Sequence, residues 1–566
     1  MRLGVILAAI LVSALLVHDL SAQGPPPPPM PPMPQGQGRD PAQQAPQKTG
    51  TARLSGRVTA LDTGRPIRRA VVRLTAPELR DGRSVSTDAD GRWELRDLPA
   101  GRYALMVTKG GYVNLQYGQL RPFESGKTIE LGDGQALEKL DVALPRGGAI
   151  TGRVLDEFGE PVANARVGAL RHRFVQGQRR LFAVGAGDST DDLGTFRLHG
   201  LPPGDYLVSA QPNVFTFLGT SEDRTGYSQT YFPGTLDPSQ AQRITVGIGQ
   251  EVSNLVIPLT PTRVAIVSGT ATTSEGKPVT MGSLFARPVG AGEMGILTPA
   301  IVRDGTWTLS NVAPGSYQLV LQYNPATFGG SAGGTEMASL ELTVAGEDIT
   351  GIALVTSPGG IARGRIRFEG ANPPATIPSG VFIQGVVPDD PMAFSVSSTQ
   401  ARPDGTFEIR GLLGRRIIRA TPPPGWVLKA VTYEGTDITD TGVDVAADQE
   451  LAGFEIVFTQ DAPELSGTVQ NAKGAAVGDY VVVLFAPERE KWGWQTRFVR
   501  VARPDQTGRF TIRGVVPGSY LAVALEYLEP GEEGNPEFLE SVRSLGAAVR
   551  VADGEKKQIT LKLSAQ

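Results

Sequence analysis

Histidine and carboxylate chemistry is the first to consider, because zinc peptidases need two histidines and a carboxylate, the first pair spaced His-x-x-Glu. Beyond the first 22 residues the chain has two histidines, His172 and His199, in the contexts His-Arg-Phe-Val and His-Gly-Leu-Pro. The chain also has no cysteine, so it has neither a disulfide nor a thiolate zinc site. The sequence therefore predicts no metal site, no cofactor and no catalytic residue of this class.

Two further short motifs resemble sites by letter. Residues Gly329–Gly333 read Gly-Gly-Ser-Ala-Gly, but a nucleophile elbow needs a strand before the serine and a helix after it, and no helical pattern follows. Residues Thr87–Gly91 place two aspartates around an alanine, as in a calcium loop. Too few oxygen ligands are present there, and Asp-Gly is a common turn pair. We interpret the first motif as a flexible loop and the second as a turn.

Tryptophans offer the remaining chemistry, because a flat ring can stack on a sugar. Trp492 and Trp494 alternate, so on a strand both would face one side, among charged neighbours; Trp426 is a third candidate. The alternative is that these rings anchor their own module, since large aromatics are mostly buried. We prefer anchoring and keep glycan stacking as the second hypothesis. The net charge of −4 leaves no basic face for nucleic acid.

The elements that would position these residues follow one short hairpin pattern, written five times. The clearest copy reads Asp90-Gly91-Arg92-Trp93-Glu94-Leu95 and then Leu98-Pro99-Ala100-Gly101-Arg102-Tyr103. In every copy the second marker comes ten residues after the first aromatic, in the pairs Trp93/Tyr103, Phe196/Tyr206, Trp307/Tyr317, Phe407/Ile417 and Phe510/Tyr520. Such constant spacing indicates tandem repeats of one β module. We expect the recurring aromatics to be core residues and the tyrosines to share a hydrogen-bonded corner.

Each repeat also begins with a glycine followed by a strand pattern and closes with an alternating apolar run. The opening glycines are Gly56, Gly152, Gly269, Gly364 and Gly467, where we expect close approach of two backbones. The 70 glycines and 44 prolines suit many short strands joined by tight turns. The prediction is an all-β chain of about five seven-stranded β-sandwich modules. Their predicted ranges are 51–146 (module 1), 147–261 (module 2), 262–358 (module 3), 359–462 (module 4, degenerate) and 463–566 (module 5).

Variable inserts separate the second strand of a module from its hairpin. In module 2 the insert runs from Arg171 to Asp188 and carries several arginines; in module 5 it runs from Glu488 to Arg500 and carries the two tryptophans. Loops that project from a rigid scaffold commonly carry binding specificity. We expect any binding site to lie in these inserts.

The amino-terminal segment has a different composition. Residues 1–22 contain Arg2, an apolar run from Leu3 to Val17 and then Leu20-Ser21-Ala22, the layout of a secretory signal peptide. Residues 23–50 are rich in proline and glutamine, which favours an extended spacer. We expect an exported protein in the periplasm, on the outer cell surface or outside the cell, with no membrane span after signal cleavage.

The order Gly-x-Val, Gly-x-Pro turn, Asp-Gly-x-aromatic-x-Leu and Leu-Pro-x-Gly-x-Tyr resembles the carboxypeptidase regulatory-like domain. The resemblance is strong in modules 1 and 2, good in module 5 and weaker in modules 3 and 4, where Leu412-Leu413-Gly414 replaces the Pro-x-Gly-Tyr turn. With its signal and the segment Tyr231–Thr235, the chain is similar to multi-module exported proteins of environmental bacteria. The resemblance implies a transthyretin-like sandwich related to carbohydrate-binding folds, and a non-catalytic accessory or adhesion role.

We therefore expect a non-catalytic binding or structural array at the cell envelope or outside the cell. The expected partner is a polysaccharide or an envelope or extracellular protein, bound through several weak sites that add by multivalency. The alternative function is polysaccharide binding proper, through the aromatic residues of module 5.

Overall fold

The computed structural model describes most of the chain beyond residue 48. The described ranges are 49–79, 82–121, 123–175, 177–212, 225–289, 298–324, 336–378, 380–388, 397–493 and 496–564. The predicted signal peptide, nearly all of the proline-rich segment, the Gly329–Gly333 motif and Trp494 lie outside these residues. Residues 48–566 belong to one compact unit.

Module 1 is a two-layer β sandwich. One layer has the strand order β4-β1-β8 with β9 beside β1, and the other has the order β3-β2-β5-β6 with β7 beside β5. Alternate residues of β5, namely Tyr103, Leu105 and Val107, point into the core between the layers. The strands are β1 (Ala52–Ala60), β2 (Val71–Thr75), β3 (Arg83–Ser86), β4 (Arg92–Leu98), β5 (Gly101–Thr108), β6 (Leu115–Gln116), β7 (Ile129–Leu131), β8 (Ala136–Leu137) and β9 (Val142–Leu144).

Module 2 repeats this sandwich with a longer hairpin. Its layers have the orders β13-β10-β18 and β12-β11-β14-β16, with β17 beside β14, while β15 pairs with β19 where the chain passes to module 3. The strands are β10 (Gly148–Leu155), β11 (Arg166–Val175), β12 (Gln178–Ser189), β13 (Thr195–Leu201), β14 (Gly204–Gln211), β15 (Thr225–Tyr227), β16 (Thr230–Tyr231), β17 (Ile244–Val246), β18 (Glu251–Pro258) and β19 (Pro261–Arg263).

Module 3 wraps one continuous sheet of seven strands around its core, in the order β25-β24-β21-β22-β23-β20-β26. Its two edges meet at a bridge in which Met337 and Ser357 exchange backbone hydrogen bonds of 2.9 Å. The strands are β20 (Ala265–Thr272), β21 (Met281–Pro288), β22 (Thr298–Arg303), β23 (Thr306–Val312), β24 (Gly315–Tyr323), β25 (Glu336–Val344) and β26 (Ile349–Val355).

Module 4 returns to two separate layers, with the orders β30-β27-β35-β32-β33 and β29-β28-β31-β34. The strands are β27 (Gly360–Glu369), β28 (Phe382–Val386), β29 (Ser397–Gln400), β30 (Thr406–Leu412), β31 (Gly414–Ala420), β32 (Val427–Tyr433), β33 (Thr436–Asp437), β34 (Val443–Val445) and β35 (Glu450–Thr459).

Module 5 adds a helix to the sandwich. Its strands follow the order β37-β36-β43-β41-β38-β39, with β40 beside β36 and β42 beside β41. The helix α1 covers the outer face of β38 and β41 and forms a second apolar cluster with it. The elements are β36 (Glu464–Gln470), β37 (Ala476–Val477), β38 (Val481–Phe485), β39 (Val499–Ala502), β40 (Arg509–Arg513), β41 (Gly518–Leu525), α1 (Pro536–Val542), β42 (Ala547–Val551) and β43 (Lys556–Ser564).

The repeated pattern has a clear structural meaning in all five modules. The first strand pairs with the closing strand in parallel. In modules 2 to 5 the opening glycine lies in this ladder, and in module 1 Gly56 faces Leu140, two residues before β9. A Cβ on Gly269 or Gly467 would lie 1.9 Å from the carbonyl oxygen of Ile352 or Ile559 respectively. Only glycine permits so close an approach, as the sequence predicted. The recurring aromatics Trp93, Phe196, Trp307, Phe407 and Phe510 are all buried, which confirms their assignment to the core.

The recurring tyrosines form the predicted hydrogen-bonded corner. Each hydroxyl donates to the carbonyl oxygen four residues earlier: Tyr103 to Pro99 at 2.7 Å, Tyr206 to Pro202, Tyr317 to Ala313 at 2.9 Å and Tyr520 to Val516 at 2.7 Å. Burial raises the pKa of Tyr206 and of Tyr520 to about 12. The bond fastens the Pro-x-Gly turn to the strand that follows it, and Ile417 fills the same position in module 4 without a hydroxyl.

Candidate interaction site between the first and last modules

Trp492, the first of the candidate stacking residues, lies inside module 5. Its side chain is 7% exposed and packs edge-to-face on Phe485, with ring centroids 5.6 Å apart. The indole Nε1 donates to the carbonyl oxygen of Ala486 at 2.6 Å, and Phe538 of α1 belongs to the same apolar cluster. This is the anchoring role that the sequence analysis preferred for tryptophan.

Trp426 is partly buried at the side of module 4, where it packs edge-to-face on Phe368 with centroids 4.7 Å apart. Trp494 lies outside the described residues. Trp492 and Trp426 belong to different modules and to different apolar clusters. Stacking of these tryptophans on a glycan stays a prediction.

The aspartates of Thr87–Gly91 shape a turn. Asp88 Oδ1 accepts hydrogen bonds from the backbone N–H groups of Asp90 at 2.9 Å and Arg92 at 2.8 Å. The Thr87 hydroxyl donates to the carbonyl oxygen of Ile67. Asp191 and Asp505 accept equivalent backbone bonds in modules 2 and 5. The aspartate therefore belongs to the repeated hairpin.

His172 and His199 lie on β11 and β13 of module 2. Burial, followed by the nearby charges of Arg179 and Arg243, lowers the pKa of His172. Across the described ranges, no group of three or more histidine, aspartate or glutamate side chains is placed to hold a metal ion.

The insert of module 5 is fastened to module 4. The Arg497 side chain, 12% exposed, pairs with Asp440 at 2.7 Å and with Asp437 at 3.0 Å, and it donates to the carbonyl oxygen of Lys429 at 2.6 Å. Burial alone would raise the pKa of Asp437, but hydrogen bonds from Thr439 and the charge of Arg497 together lower it. Instead of projecting freely, this insert joins two neighbouring modules.

The insert of module 2 is a long β hairpin, formed by β11 and β12, that reaches both ends of the array. Arg171 and Arg173 lie over the ring of Phe123 in module 1, with guanidinium-to-centroid distances of 5.3 and 5.2 Å. At the hairpin tip, a Cβ on Gly177 would lie 2.1 Å from the carbonyl oxygen of Gly534 in module 5. In the reverse direction, a Cβ on Gly531 would lie 2.1 Å from the carbonyl oxygen of Phe174. The backbones of modules 2 and 5 are therefore in direct contact.

Module 1 contacts module 5 directly, through residues 121 and 124–130 on one side and residues 478–479, 503–506 and 527 on the other. We call this contact the clasp. At its centre, Arg503 pairs with Glu124 at 3.1 Å and with Asp479 at 2.5 Å. The Arg503 and Glu124 side chains are 6% and 3% exposed. Such burial makes the pair dependent on both partners, because either charge left alone would lack compensation.

The rest of the clasp is also polar. The Gln506 side chain forms two hydrogen bonds with the backbone of Glu130, accepting from its N–H at 3.0 Å and donating to its carbonyl oxygen at 2.8 Å. Lys127 donates to the carbonyl oxygen of Gly478 at 2.5 Å and lies 3.5 Å from Asp479. Arg121 stacks on Tyr527 with its guanidinium 4.4 Å from the ring centroid.

A cavity of about 330 Å³ lies beside the clasp, between the two modules. Charged side chains of both modules line it, among them Arg102, Glu124, Arg503 and Glu533, with apolar residues such as Val501 on the module 5 wall. The contact is therefore polar and incompletely packed, as is typical of interfaces between domains that can separate.

Sequence reasoning missed the clasp, and only weak signals pointed to it. Gln506 occupies a hairpin turn whose pattern explains the turn but not what its side chain binds. The charged residues of segment 121–130 look like those of any loop that is exposed to water.

The helix α1 had a clearer signal in the sequence. Asn535 is its N-cap, with a side chain that accepts a hydrogen bond from the Glu537 N–H at 2.8 Å, and Pro536 lies in its first turn.

Residues 53–145 and 149–260 match the family model of the carboxypeptidase regulatory-like domain. None of the curated proteins matches the chain. Solved structures similar to parts of it include the Bacillus anthracis TIE protein, at 15% identity over 55% of this chain and 51% of that one, with a TM-score of 0.16. They also include the minor pilin GBS52 of Streptococcus agalactiae (13% identity, 37% and 95% coverage, TM-score 0.22). The major pilin subunit BcpA of Bacillus cereus is another (14% identity, 55% and 99% coverage, TM-score 0.13).

Proposed function

Since the first two modules of this chain match the family model of the carboxypeptidase regulatory-like domain, we propose that the protein is an exported, non-catalytic multi-module array. It acts as a structural and binding scaffold at the cell envelope or outside the cell. Its modules hold one another in place and present their remaining surfaces to envelope or extracellular partners.

One observation carries this proposal: the polar inserts contact other modules. Arg497 binds module 4, and the β11–β12 hairpin contacts modules 1 and 5. A catalytic role would call for a nucleophile, a base and a group that orients them. Arg497, Arg171 and Arg173 of these inserts instead contact neighbouring modules, which suits a scaffold.

Export agrees with the signal-like sequence of residues 1–22. Among the residues that the structure describes, no helix has the length and apolarity to cross a membrane. The direct test is fractionation of a bacterial host that produces the epitope-tagged full chain or a variant lacking residues 1–22. The full chain should leave the cytoplasm and the shortened chain should remain there; equal distribution of the two would contradict export.

The binding role is tested by depletion of purified residues 51–566 on envelope preparations, peptidoglycan and a panel of insoluble polysaccharides. Retention by envelope material that is unaffected by Trp494→Ala is the expected result. Retention by one purified polysaccharide that is lost in Trp494→Ala would favour the carbohydrate-binding alternative.

A further inference from the structure

We propose that the clasp is also the surface through which two copies of this chain bind each other, with module 1 of each copy docked on module 5 of the other. This inference rests on the scaffold function proposed above and deepens it, because it names a second copy as a partner.

The first argument is the position of the clasp in the chain. Its two sides belong to modules 1 and 5, which are joined covalently only through modules 2, 3 and 4. Every contact across it is therefore non-covalent and is equally available to module 1 of another molecule. Exchange of identical elements between copies reuses a complementary surface at low cost.

The second argument is charge complementarity. At the centre of the clasp the module 1 side presents Glu124 and Lys127, and the module 5 side presents Arg503 and Asp479, so each side has both an anion and a cation there. Arg503 pairs with Glu124, while Asp479 pairs with both Arg503 and Lys127. Two modules in another register would place like charges together, which opposes wrong pairings. The surface thus selects its own partner, whether that partner is in the same chain or in a second copy.

The third argument concerns the hydrogen bonds and the cavity. Arg503, Lys127 and Gln506 all donate to backbone carbonyl oxygens of the opposite module. The neighbouring cavity shows that apolar packing does not seal the contact. A polar surface of this kind can separate into water at a modest cost, as transient protein interfaces do.

Which arrangement prevails depends on concentration. In a dilute solution the tethered modules of one chain meet first, because an intramolecular contact has an effective concentration set by the intervening chain. Pairing between copies takes over when the intramolecular contact is weakened or when the local concentration of copies rises. A test must therefore disable pairing within a chain while preserving it between chains.

Complementary charge reversal disables pairing within a chain and preserves it between two different chains. In full-length mature chains, Arg503→Glu and Glu124→Arg each place like charges together within one molecule. In an equimolar mixture, module 1 of the Arg503→Glu chain keeps Glu124 and can dock on module 5 of the Glu124→Arg chain, which keeps Arg503. The other contact of the same dimer brings the two substituted residues together, and their charges are also opposite. Light scattering after size exclusion should give the monomer mass for each variant alone and a twofold mass for the mixture.

The doubly reversed chain Glu124→Arg/Arg503→Glu is the matched control, and it should be monomeric because its own pair is restored. Circular dichroism of each variant establishes that its β structure is retained. Should either buried substitution unfold its module, the more exposed pair Lys127→Glu and Asp479→Lys gives the same design. A mixture that keeps the monomer mass while its folded components fail to associate would overturn the proposal. That result would leave the export and envelope-binding tests unaffected, so the two failures are distinguishable.

Discussion

The guanidinium of Arg503 in the last module lies 3.1 Å from the carboxylate of Glu124 in the first module, and both side chains are almost fully buried. This ion pair connects the two ends of an array that its sequence describes only as consecutive repeats. The hydrogen bonds and charges around it also connect modules, so the clasp determines several measurable properties.

Replacement of Arg503 by methionine should open the clasp. Glu124 would lose its partner in a buried setting, a change that typically costs about 3–5 kcal/mol. When the clasp opens, the Glu124 carboxylate returns to water and no longer carries this cost. The free energy of unfolding can therefore fall by no more than the clasp contributes to it. Small-angle scattering should show a larger radius of gyration. Adding Glu124→Leu to Arg503→Met should restore much of the compaction, and an unchanged radius in Arg503→Met would contradict this role for the pair.

Gly177→Ala should separate the tip of the β11–β12 hairpin from module 5. The new Cβ would lie 2.1 Å from the carbonyl oxygen of Gly534, whereas the Cβ of Gly185→Ala meets nothing closer than 3.8 Å. Both glycines have φ near +75°, so both substitutions carry a similar backbone strain of about 1–2 kcal/mol. Hydrogen exchange at residues 529–535 should therefore quicken in Gly177→Ala alone. Equal protection in the two variants would show that the tip contact is unimportant.

Gly56→Ala should destabilise module 1 where β1 contacts the segment that leads into β9. The Cβ would lie 2.3 Å from the carbonyl oxygen of Leu140, whose own N–H donates to the carbonyl oxygen of Ser55 at 3.1 Å. Overpacking of this kind costs roughly 1–3 kcal/mol, and we expect the upper part of that range. Gly110→Ala, where no atom lies within 4 Å, is the control and should change the free energy of unfolding by less than about 0.5 kcal/mol. Urea denaturation of both variants checks this.

The tyrosine corners should make the protein sensitive to alkali. The pKa of Tyr206 and of Tyr520 is raised to about 12 in the folded chain, against roughly 10 when unfolded. Because the folded state holds these protons more tightly, their stabilisation is complete below about pH 10 and is lost as the pH rises towards 12. In that window each tyrosine lowers the free energy of unfolding by up to about 1.4 kcal/mol per pH unit.

Tyr206→Phe separates this titration from the hydrogen bond. At pH 8 it should lower the free energy of unfolding by about 1 kcal/mol, through loss of the bond to Pro202. Between pH 10 and 12 its stability should fall less steeply than that of the parent. A parallel fall in both proteins would mean that this hydroxyl does not govern the alkaline response.

Trp492→Ala should lower the free energy of unfolding by about 3–5 kcal/mol, because it removes a buried ring that packs on Phe485 and α1. Loss of polysaccharide retention in this variant would therefore not identify a stacking residue. Trp494→Ala is the informative substitution. Thermal unfolding of the two variants should separate them, and equal stability of Trp492→Ala and the parent would contradict the anchoring role.

The sandwich fold could be predicted from the sequence because its determinants are local and repeated. Trp93 and Tyr103 mark one hairpin at a fixed spacing, and Gly56 marks the close approach of two backbone segments. Each of these signals recurs in other modules, so agreement among copies supported the interpretation. The same agreement identified the buried aromatics even in module 4, where the tyrosine is lost.

The contacts between modules could not be predicted in the same way. Arg497 lies in an insert that differs from module to module, whereas Arg503 lies beside Asp505 of the repeated hairpin, where the pattern explains the turn but not the partner. The partners of both arginines include residues far away in the sequence. Charged residues in an insert look alike whether they face water or another module. The expectation that the inserts project freely failed for this reason, and the helix α1 escaped notice because seven residues give little periodicity.

The parallel pairing of the first and closing strands has a mechanical consequence. The chain enters a module at the start of its first strand and leaves at the end of its last, so a pull along the chain drives these two strands past each other lengthwise. Nine residue pairs between β27 and β35, and seven between β36 and β43, then resist the load together instead of parting one at a time. Modules 4 and 5 are therefore built to bear tension in shear.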